Sequence, residues 1–192
     1  MRHLMETWKN YIAEIQSEES NVISFDFDDT LALEDSEYQY VGPNKLLLNL
    51  FRLFKEEKKV VNGEKINMYK VYIVTSRKEA NEDMYRERPN TATVNEFVAE
   101  QGLNPDQVIF TNMEDKVHTL KRIGALLHFD DDDYEIAAID KGAPKIGTVK
   151  INYANGAIMS GLGNIERLLG NDWRDKLAKL DDKEKENGEL DG

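Results

Sequence analysis

Short hydrophobic runs that end in polar or acidic clusters constrain the fold of this chain more than any other feature. The runs lie at residues 22–25, 71–74, 108–110 and 125–129 and are rich in β-branched and aromatic residues. Segments with helical periodicity separate them, and a further β-like run lies near residues 148–153. Strands that alternate with helices predict an α/β fold, with a central parallel sheet and helices on both faces.

The remaining segments predict how the chain is divided. Helices are predicted over 3–17, 115–123 and 162–180, with three others that begin at Pro43 and Asn44, at Thr91 (ending at Gly102) and at Asp132 and Asp133. Asn62-Gly63 is a turn signal. We expect residues 1–20 to form a helix packed on a core domain of 21–180, and residues 181–192 to be a disordered acidic tail.

Composition excludes several classes of function. The chain has no cysteine, which rules out disulfides, thiolate metal sites and a cysteine nucleophile. Its net charge of -12 disfavours broad non-specific binding to nucleic acid. Residues 1–10 lack the apolar core of a signal peptide, and no apolar run is long enough to span a membrane. We therefore expect a cytoplasmic protein without membrane contact, and the sequence leaves its oligomeric state open.

Polar side chains follow three of the predicted strands at their carboxyl ends. Asp26-Phe27-Asp28-Asp29-Thr30 follows the first, Thr75-Ser76-Arg77 ends the second, and residues 130–133, all aspartate, follow the fourth. Parallel sheets bind ligands beyond the carboxyl ends of their strands, so we expect these clusters to meet at one edge. Because they are two residues apart, Asp26 and Asp28 should project to the same side of an extended chain.

So many carboxylates at one edge would repel one another, and some would take up protons unless a cation were bound. An oxygen-only ligand set suits Mg²⁺, which typically keeps a substrate phosphate among its ligands. Lys116, between the third and fourth runs, offers a second positive charge. The cluster therefore predicts a magnesium site and phosphoryl transfer.

The three clusters and the segment around Lys116, taken in order along the chain, resemble the four motifs of the haloacid dehalogenase (HAD) superfamily. D-F-D-D-T resembles the first motif, V-Y-I-V-T-S-R the second, D-K-V-H-T-L-K-R-I-G the third and H-F-D-D-D-D the fourth. The resemblance covers residues 22–153 and implies a HAD-like Rossmannoid fold. It also implies a Mg²⁺-dependent phosphomonoester hydrolase that works through an aspartyl-phosphate.

The resemblance further implies a role for each carboxylate. Asp26 would attack phosphorus and bind Mg²⁺ through its carboxylate. Asp28 would protonate the leaving oxygen, then activate water, and its backbone carbonyl would reach the metal. Asp130 would hold Mg²⁺ with Asp131 beside it, although four successive aspartates allow the register to slip by one. Asp29 stands where the superfamily often has glycine, and aspartate tolerates the unusual turn geometry needed there.

Four other side chains complete the implied site. Thr75 and Lys116 would bind the phosphoryl oxygens, with helix capping as the alternative for Thr75. Lys121, a turn later, competes with Lys116 and is better explained as a solvated position. Thr30 would support the turn and belong to the substrate-binding residues. Arg77 would bind the substrate phosphate or pair with an acidic residue.

Other polar and aromatic residues support plainer interpretations. His3, His118 and His128 have no partner at metal-ligand spacing, so they are expected to be structural. Tyr38 and Tyr40 are expected to pack against the core rather than contact substrate.

The substrate is the least constrained part of the prediction. The intervals 31–70 and 78–106 are too short for a full cap domain, so we expect a minimal cap or none. T-S-R is similar to a motif in the phosphatase domains of polynucleotide kinase–phosphatases. Arg77, Lys78, Arg86 and Arg88 would form a local basic patch, favouring a nucleic-acid end or nucleotide phosphate. The alternatives are a small-metabolite phosphatase and a non-catalytic HAD-like binding protein.

Overall fold

The computed structural model describes residues 21–37, 39–82 and 93–189. Along the chain the elements are β1 (Val22–Phe25), β2 (Ala32–Glu34), β3 (Tyr40–Pro43), α1 (Lys45–Glu56), β4 (Lys58–Val61), β5 (Glu64–Asn67), β6 (Lys70–Thr75), α2 (Val94–Glu100), β7 (Gln107–Phe110), α3 (Lys116–Ile123), β8 (Ala125–Asp130), α4 (Asp133–Gly142), β9 (Gly147–Lys150), α5 (Leu162–Leu169) and α6 (Trp173–Glu189). The helix predicted at 3–17, which includes His3, lies outside the described residues. The same is true of Tyr38, Arg86 and Arg88.

Five strands form the central sheet in the order β7-β6-β1-β8-β9, and every neighbouring pair is parallel. This arrangement confirms the predicted α/β class with a parallel central sheet. The strands are short and rich in buried β-branched and aromatic residues, which suits a sheet covered by helices.

Successive residues of a strand point to opposite faces of the sheet, and helices cover the apolar side chains on both faces. In β6, Ile73 joins one buried cluster, to which α1, α5 and α6 contribute, whereas Val74 joins a second cluster with residues of α3 and α4. In the larger cluster the rings of Phe25 and Phe129 stack with centroids 4.3 Å apart across β1 and β8. The two strands that lead into the acidic clusters are therefore packed rigidly against each other.

The interval 31–70 is more structured than the single helix and loops expected there. It contains two antiparallel hairpins, β2–β3 and β4–β5, on either side of α1. Asn62 and Gly63 connect β4 to β5 with φ values of 52° and 86°. This confirms the predicted turn, since tight hairpin turns of this kind need positive φ at both central residues.

Several helix ends differ from the predictions. The helix expected over 162–180 is two helices. Gly170, with a φ of 84°, ends α5, and α6 begins at Trp173. The second helix, α6, continues to Glu189, so the tail expected to be disordered from 181 is helical to that point; its Lys and Glu residues favour helix. Helix α2 is capped by Thr93 rather than Thr91, because Thr93 Oγ1 accepts from the Glu96 amide at 3.1 Å and donates to the Glu96 carboxylate at 2.9 Å.

Within residues 21–37, 39–82 and 93–189, no helix combines the length and apolar character needed to cross a bilayer.

Candidate active site

The candidate site lies where the chain changes direction across the sheet. From β1 the chain proceeds to β6 and β7 on one side, then crosses to β8 and β9 on the other. In open α/β sheets ligands bind outside the carboxyl ends of the strands at such a switch point. Asp26 directly follows β1 and Asp130 is the last residue of β8, and the Asp26 amide donates to the Phe129 carbonyl at 2.9 Å. The sheet topology itself therefore brings the two carboxylates together.

Three carboxylates at this edge could hold a metal ion. Oxygens of Asp26, Asp130 and Asp131 all lie within 4.8 Å of one another. An all-oxygen set of this kind suits a hard divalent cation such as Mg²⁺. Asp132 and Asp133 are placed differently: Asp132 caps α4 by accepting from the Tyr134 amide, and the side chain of Asp133 is 92% exposed. Of the four successive aspartates, the first two thus face Asp26.

Lys116 supplies a buried positive charge between two of these carboxylates. Its residue is 2% exposed, and its Nζ lies 2.8 Å from Asp26 Oδ1 and 2.7 Å from Asp130 Oδ2. Burial opposes the charged form, but the attraction of both carboxylates outweighs it and raises the pKa of Lys116. Its backbone amide donates to Glu135 Oε2 at 3.1 Å, which anchors the start of α3 to α4. Lys121, the competing lysine, is exposed.

The surroundings of the three carboxylates shift their pKa values in different directions. Burial raises the pKa of Asp26 well above the usual range, and repulsion from Asp130 adds to the shift. Burial likewise raises the pKa of Asp131 to about 7. For Asp130 burial acts in the same direction, but the hydrogen bonds from His128 and Lys116 and the charge of Lys116 dominate and lower its pKa. A bound cation would favour the ionised form of all three ligands.

A buried hydrogen-bonded chain behind Asp130 was not anticipated from the sequence. His128 and Ser24 are fully buried; His128 Nε2 lies 2.9 Å from Asp130 Oδ2, and His128 Nδ1 lies 2.9 Å from Ser24 Oγ. Burial lowers the pKa of His128, which favours the neutral form of the ring. With a neutral ring, Nε2–H donates to the Asp130 carboxylate, and the single Ser24 hydroxyl proton is shared between His128 Nδ1 and the Leu127 carbonyl, which lies 3.2 Å from Ser24 Oγ. The expectation of a structural histidine omitted this contact, although a spacing of two residues places both side chains on one side of β8.

The turn after β1 is held from several directions. Asp29 adopts a left-handed φ of 54°, its amide donates to the Ala32 carbonyl, and its carboxylate accepts from the Glu34 amide. Thr30 is fully buried and donates to Asp131 Oδ1 at 3.2 Å. Asn44, the N-cap of α1, donates to the Thr30 carbonyl at 3.0 Å. Thr30 therefore links the turn to a candidate metal ligand, in keeping with the supporting role expected of it.

The second motif contributes a buried threonine and a buried arginine. Thr75 is the last residue of β6, and its Oγ1 accepts from the Arg77 amide at 3.2 Å. The helical turn that follows, Glu79–Asn81, has Lys78 as its N-cap, so Thr75 does not cap it. Arg77 pairs with Asp28, which was one of its two expected roles. Asp28 and Arg77 thus form a pair of their own beside the carboxylate cluster.

No family model, curated protein or solved structure matches this chain. The functional interpretation therefore depends on the side chains at the switch point of the sheet. One fold supports many activities, so the residues of a site are a better guide to function than the fold is.

Without a divalent cation, the stability of the protein is expected to fall as the pH rises from about 6.5 to about 8. The raised pKa values of Asp26 and Asp131 mean that the folded chain holds protons which the unfolded chain has released. That stabilisation is lost as the pH rises through the folded-state pKa. Below this window the buried neutral His128 has the opposite effect. We expect a loss on the order of 1 kcal/mol, measured by urea unfolding in EDTA.

If Asp26, Asp130 and Asp131 hold Mg²⁺, the metal should reduce this dependence, because it would bind the ionised carboxylates and stabilise the folded state more at the higher pH. Asp131→Asn removes one titrating group and should flatten the metal-free profile. A profile that is unchanged by Asp131→Asn would show that Asp131 does not titrate in this range.

Proposed function

We propose that the protein is a HAD-type, Mg²⁺-dependent phosphomonoester hydrolase that forms an aspartyl-phosphate on Asp26. The observation that carries the proposal is the meeting of Asp26, Asp130 and Asp131 around one point, with the buried Lys116 ammonium bonded to two of them. An oxygen-only cation site beside a fixed ammonium is suited to a phosphoryl group, whose charge both can neutralise.

The chain's own residues account for the covalent step. Lys116 holds Asp26 Oδ1, which fixes the carboxylate so that it can attack phosphorus. Asp28, whose side chain is 36% exposed, first takes up a proton from solvent. As the new Asp26–phosphorus bond forms, the ester bond breaks and the leaving oxygen takes this proton from Asp28. Asp26, Asp130, Asp131 and the Asp28 backbone carbonyl would hold Mg²⁺, which would supply charge neutralisation for the phosphoryl oxygens.

Hydrolysis of the intermediate uses the same groups in reverse. Asp28 removes a proton from water, the water oxygen bonds to phosphorus, and the acyl-phosphate bond breaks to release inorganic phosphate and free Asp26. The Ser24–His128 chain and Lys116 keep Asp130 ionised and oriented throughout. Thr75 lies at the end of β6, where its hydroxyl is proposed to bind a phosphoryl oxygen.

The arrangement of Arg77 favours a small phosphomonoester over a nucleic-acid end. The nucleic-acid preference depended on a basic patch that began with Arg77, yet this side chain is buried and paired with acidic residues. Lys78 is exposed, and Arg86 and Arg88 lie outside the described residues. The β2–β3 and β4–β5 hairpins that follow the first motif are small, which supports a site with a minimal cap.

The test is phosphate release from p-nitrophenyl phosphate, an alkyl phosphate, a mononucleotide and a 3′-phosphorylated oligonucleotide, each with Mg²⁺ or with EDTA. We expect release that depends on Mg²⁺ and is faster for the small esters than for the oligonucleotide. Reduction of the phosphorylated protein with borohydride, followed by mass spectrometry, should locate the acyl-phosphate at residue 26. Release that persists in EDTA, or a modification at another residue, would contradict the proposal.

A further inference from the structure

Arg77 and Asp28 form a two-pronged ion pair. Arg77 Nη2 lies 2.6 Å from Asp28 Oδ1, and Arg77 Nε lies 3.1 Å and 3.0 Å from Oδ1 and Oδ2. A planar guanidinium that meets a carboxylate in this way fixes its orientation as well as its position. The conformation of the Asp28 side chain is therefore set by Arg77.

The surroundings of Arg77 hold it in place. Its guanidinium carbon lies 4.7 Å from the centre of the Phe27 ring. Nη1 is 3.5 Å from Glu82 Oε1, and Nη2 is 4.0 Å from Glu34 Oε1. Its backbone is also fixed, because the Asn112 amide donates to the Arg77 carbonyl at 3.2 Å. The residue is 5% exposed, so little of it can reach a ligand from solvent.

The charges around Arg77 also disfavour a phosphate ligand. Three carboxylates, those of Asp28, Glu34 and Glu82, surround one guanidinium. Burial and the nearby Asp28 charge raise the pKa of Glu34 to about 7, which reflects this excess of negative charge. A phosphate that bound Arg77 would have to displace Asp28 and approach the other two acids.

Exposure separates the two partners. The side chain of Asp28 is 36% exposed, whereas that of Arg77 is 4% exposed. A substrate at this edge would therefore meet Asp28 first, with Arg77 behind it.

We infer that Arg77 is a positioning residue that holds Asp28 toward the leaving group, and not a ligand of the substrate phosphate. The inference rests on the proposed function, in which Asp28 protonates the leaving oxygen. Loss of Arg77 should then affect only those reactions that need this proton. An alkoxide leaving group needs it, whereas p-nitrophenolate departs readily without one.

The decisive measurement is kcat/KM of Arg77→Gln for an alkyl phosphate and for p-nitrophenyl phosphate. This parameter reports the phosphorylation step and is not affected by slow hydrolysis of a shared intermediate. We expect a loss of about 10²-fold or more for the alkyl ester and less than about 10-fold for the aryl ester. Inhibition by inorganic phosphate should change little. Asp28→Asn should show the same asymmetry, and Arg77→Gln should add little to it.

Arg77→Lys provides a second variant in case Arg77→Gln unfolds, since it keeps the charge but not the fork. It should show the same asymmetry with a smaller loss. Arg174→Gln is the matched control, because Arg174 forms an exposed ion pair with Glu166, and it should behave as wild type.

Equal losses for both esters, together with weaker inhibition by inorganic phosphate, would overturn the inference and make Arg77 a phosphate ligand. That result, with normal Mg²⁺-dependent release by the wild type, would leave the proposed function intact. Absence of Mg²⁺-dependent release from the wild type would instead remove the proposed function, and this inference with it.

Discussion

Asp26→Asn is expected to reduce phosphate release by at least about 10³-fold, because the amide cannot form the acyl-phosphate. The loss should be similar for every substrate that the wild type hydrolyses, since all share the same covalent intermediate. The protein should nevertheless fold. Burial already raises the pKa of Asp26 well above its usual range, so a neutral side chain suits this position in the metal-free protein.

The measurement combines steady-state phosphate release with thermal melting in EDTA. We expect Asp26→Asn to melt at or above the temperature of the wild type, because the cost of burying the Asp26 charge outweighs its attraction to Lys116. Asp133→Asn is the matched control, since its side chain is exposed and should contribute little to either quantity. An Asp26→Asn protein that retains more than about one-tenth of the activity would contradict covalent catalysis at this residue.

The parts of the fold that follow local rules were predictable from the sequence. Four of the five strands of the central sheet, all except β9, contain a short hydrophobic run, and each of the polar clusters follows such a run. The meeting of Asp26 with Asp130 was predictable because parallel strands place their carboxyl ends at one edge. The N-cap function of Asp132 and the turn at Asn62-Gly63 also depend only on neighbouring residues.

The interactions that define the site in detail could not be predicted in the same way. Ser24 and His128 are 104 positions apart, and Arg77 contacts Asp28 49 positions before it. Which residues face each other across such distances depends on strand register and on the path of the turn after β1, and neither is encoded in a local pattern. The bounds of α6 and the N-cap of α2 were predicted wrongly for a simpler reason. Gly170 lies within an otherwise continuous helical pattern, and Thr91 and Thr93 are both suitable N-cap residues.

The site also shows how the chain tolerates a concentration of buried acids. Asp26 and Asp131 gain protons more readily than usual, whereas Asp130 remains ionised because Lys116 and His128 donate to it. In the metal-free protein Lys116 is the cation on which both buried carboxylates depend. The contacts of Lys116 that the proposed reaction uses should therefore also contribute to folding, and one substitution should test both.

Lys116→Met is expected to lower kcat/KM by about 10²-fold or more, because it removes a fixed positive charge from the phosphoryl site. It should also lower the free energy of unfolding in EDTA by roughly 3 kcal/mol, since it leaves buried carboxylates without their partner. Lys121→Met is the matched control on the same helix. Lys121 is exposed, so we expect its change in stability to stay within about 0.5 kcal/mol.

The response to Mg²⁺ separates a structural role of Lys116 from a role shared with the metal. If Asp26 and Asp130 are metal ligands, Mg²⁺ should raise the melting temperature of Lys116→Met more than that of the wild type, because it replaces the missing charge. The activity should remain low even when Mg²⁺ restores stability, since the ammonium contact with the substrate is still absent. Equal stability of Lys116→Met and Lys121→Met in EDTA would instead show that the buried carboxylates are protonated and do not depend on Lys116.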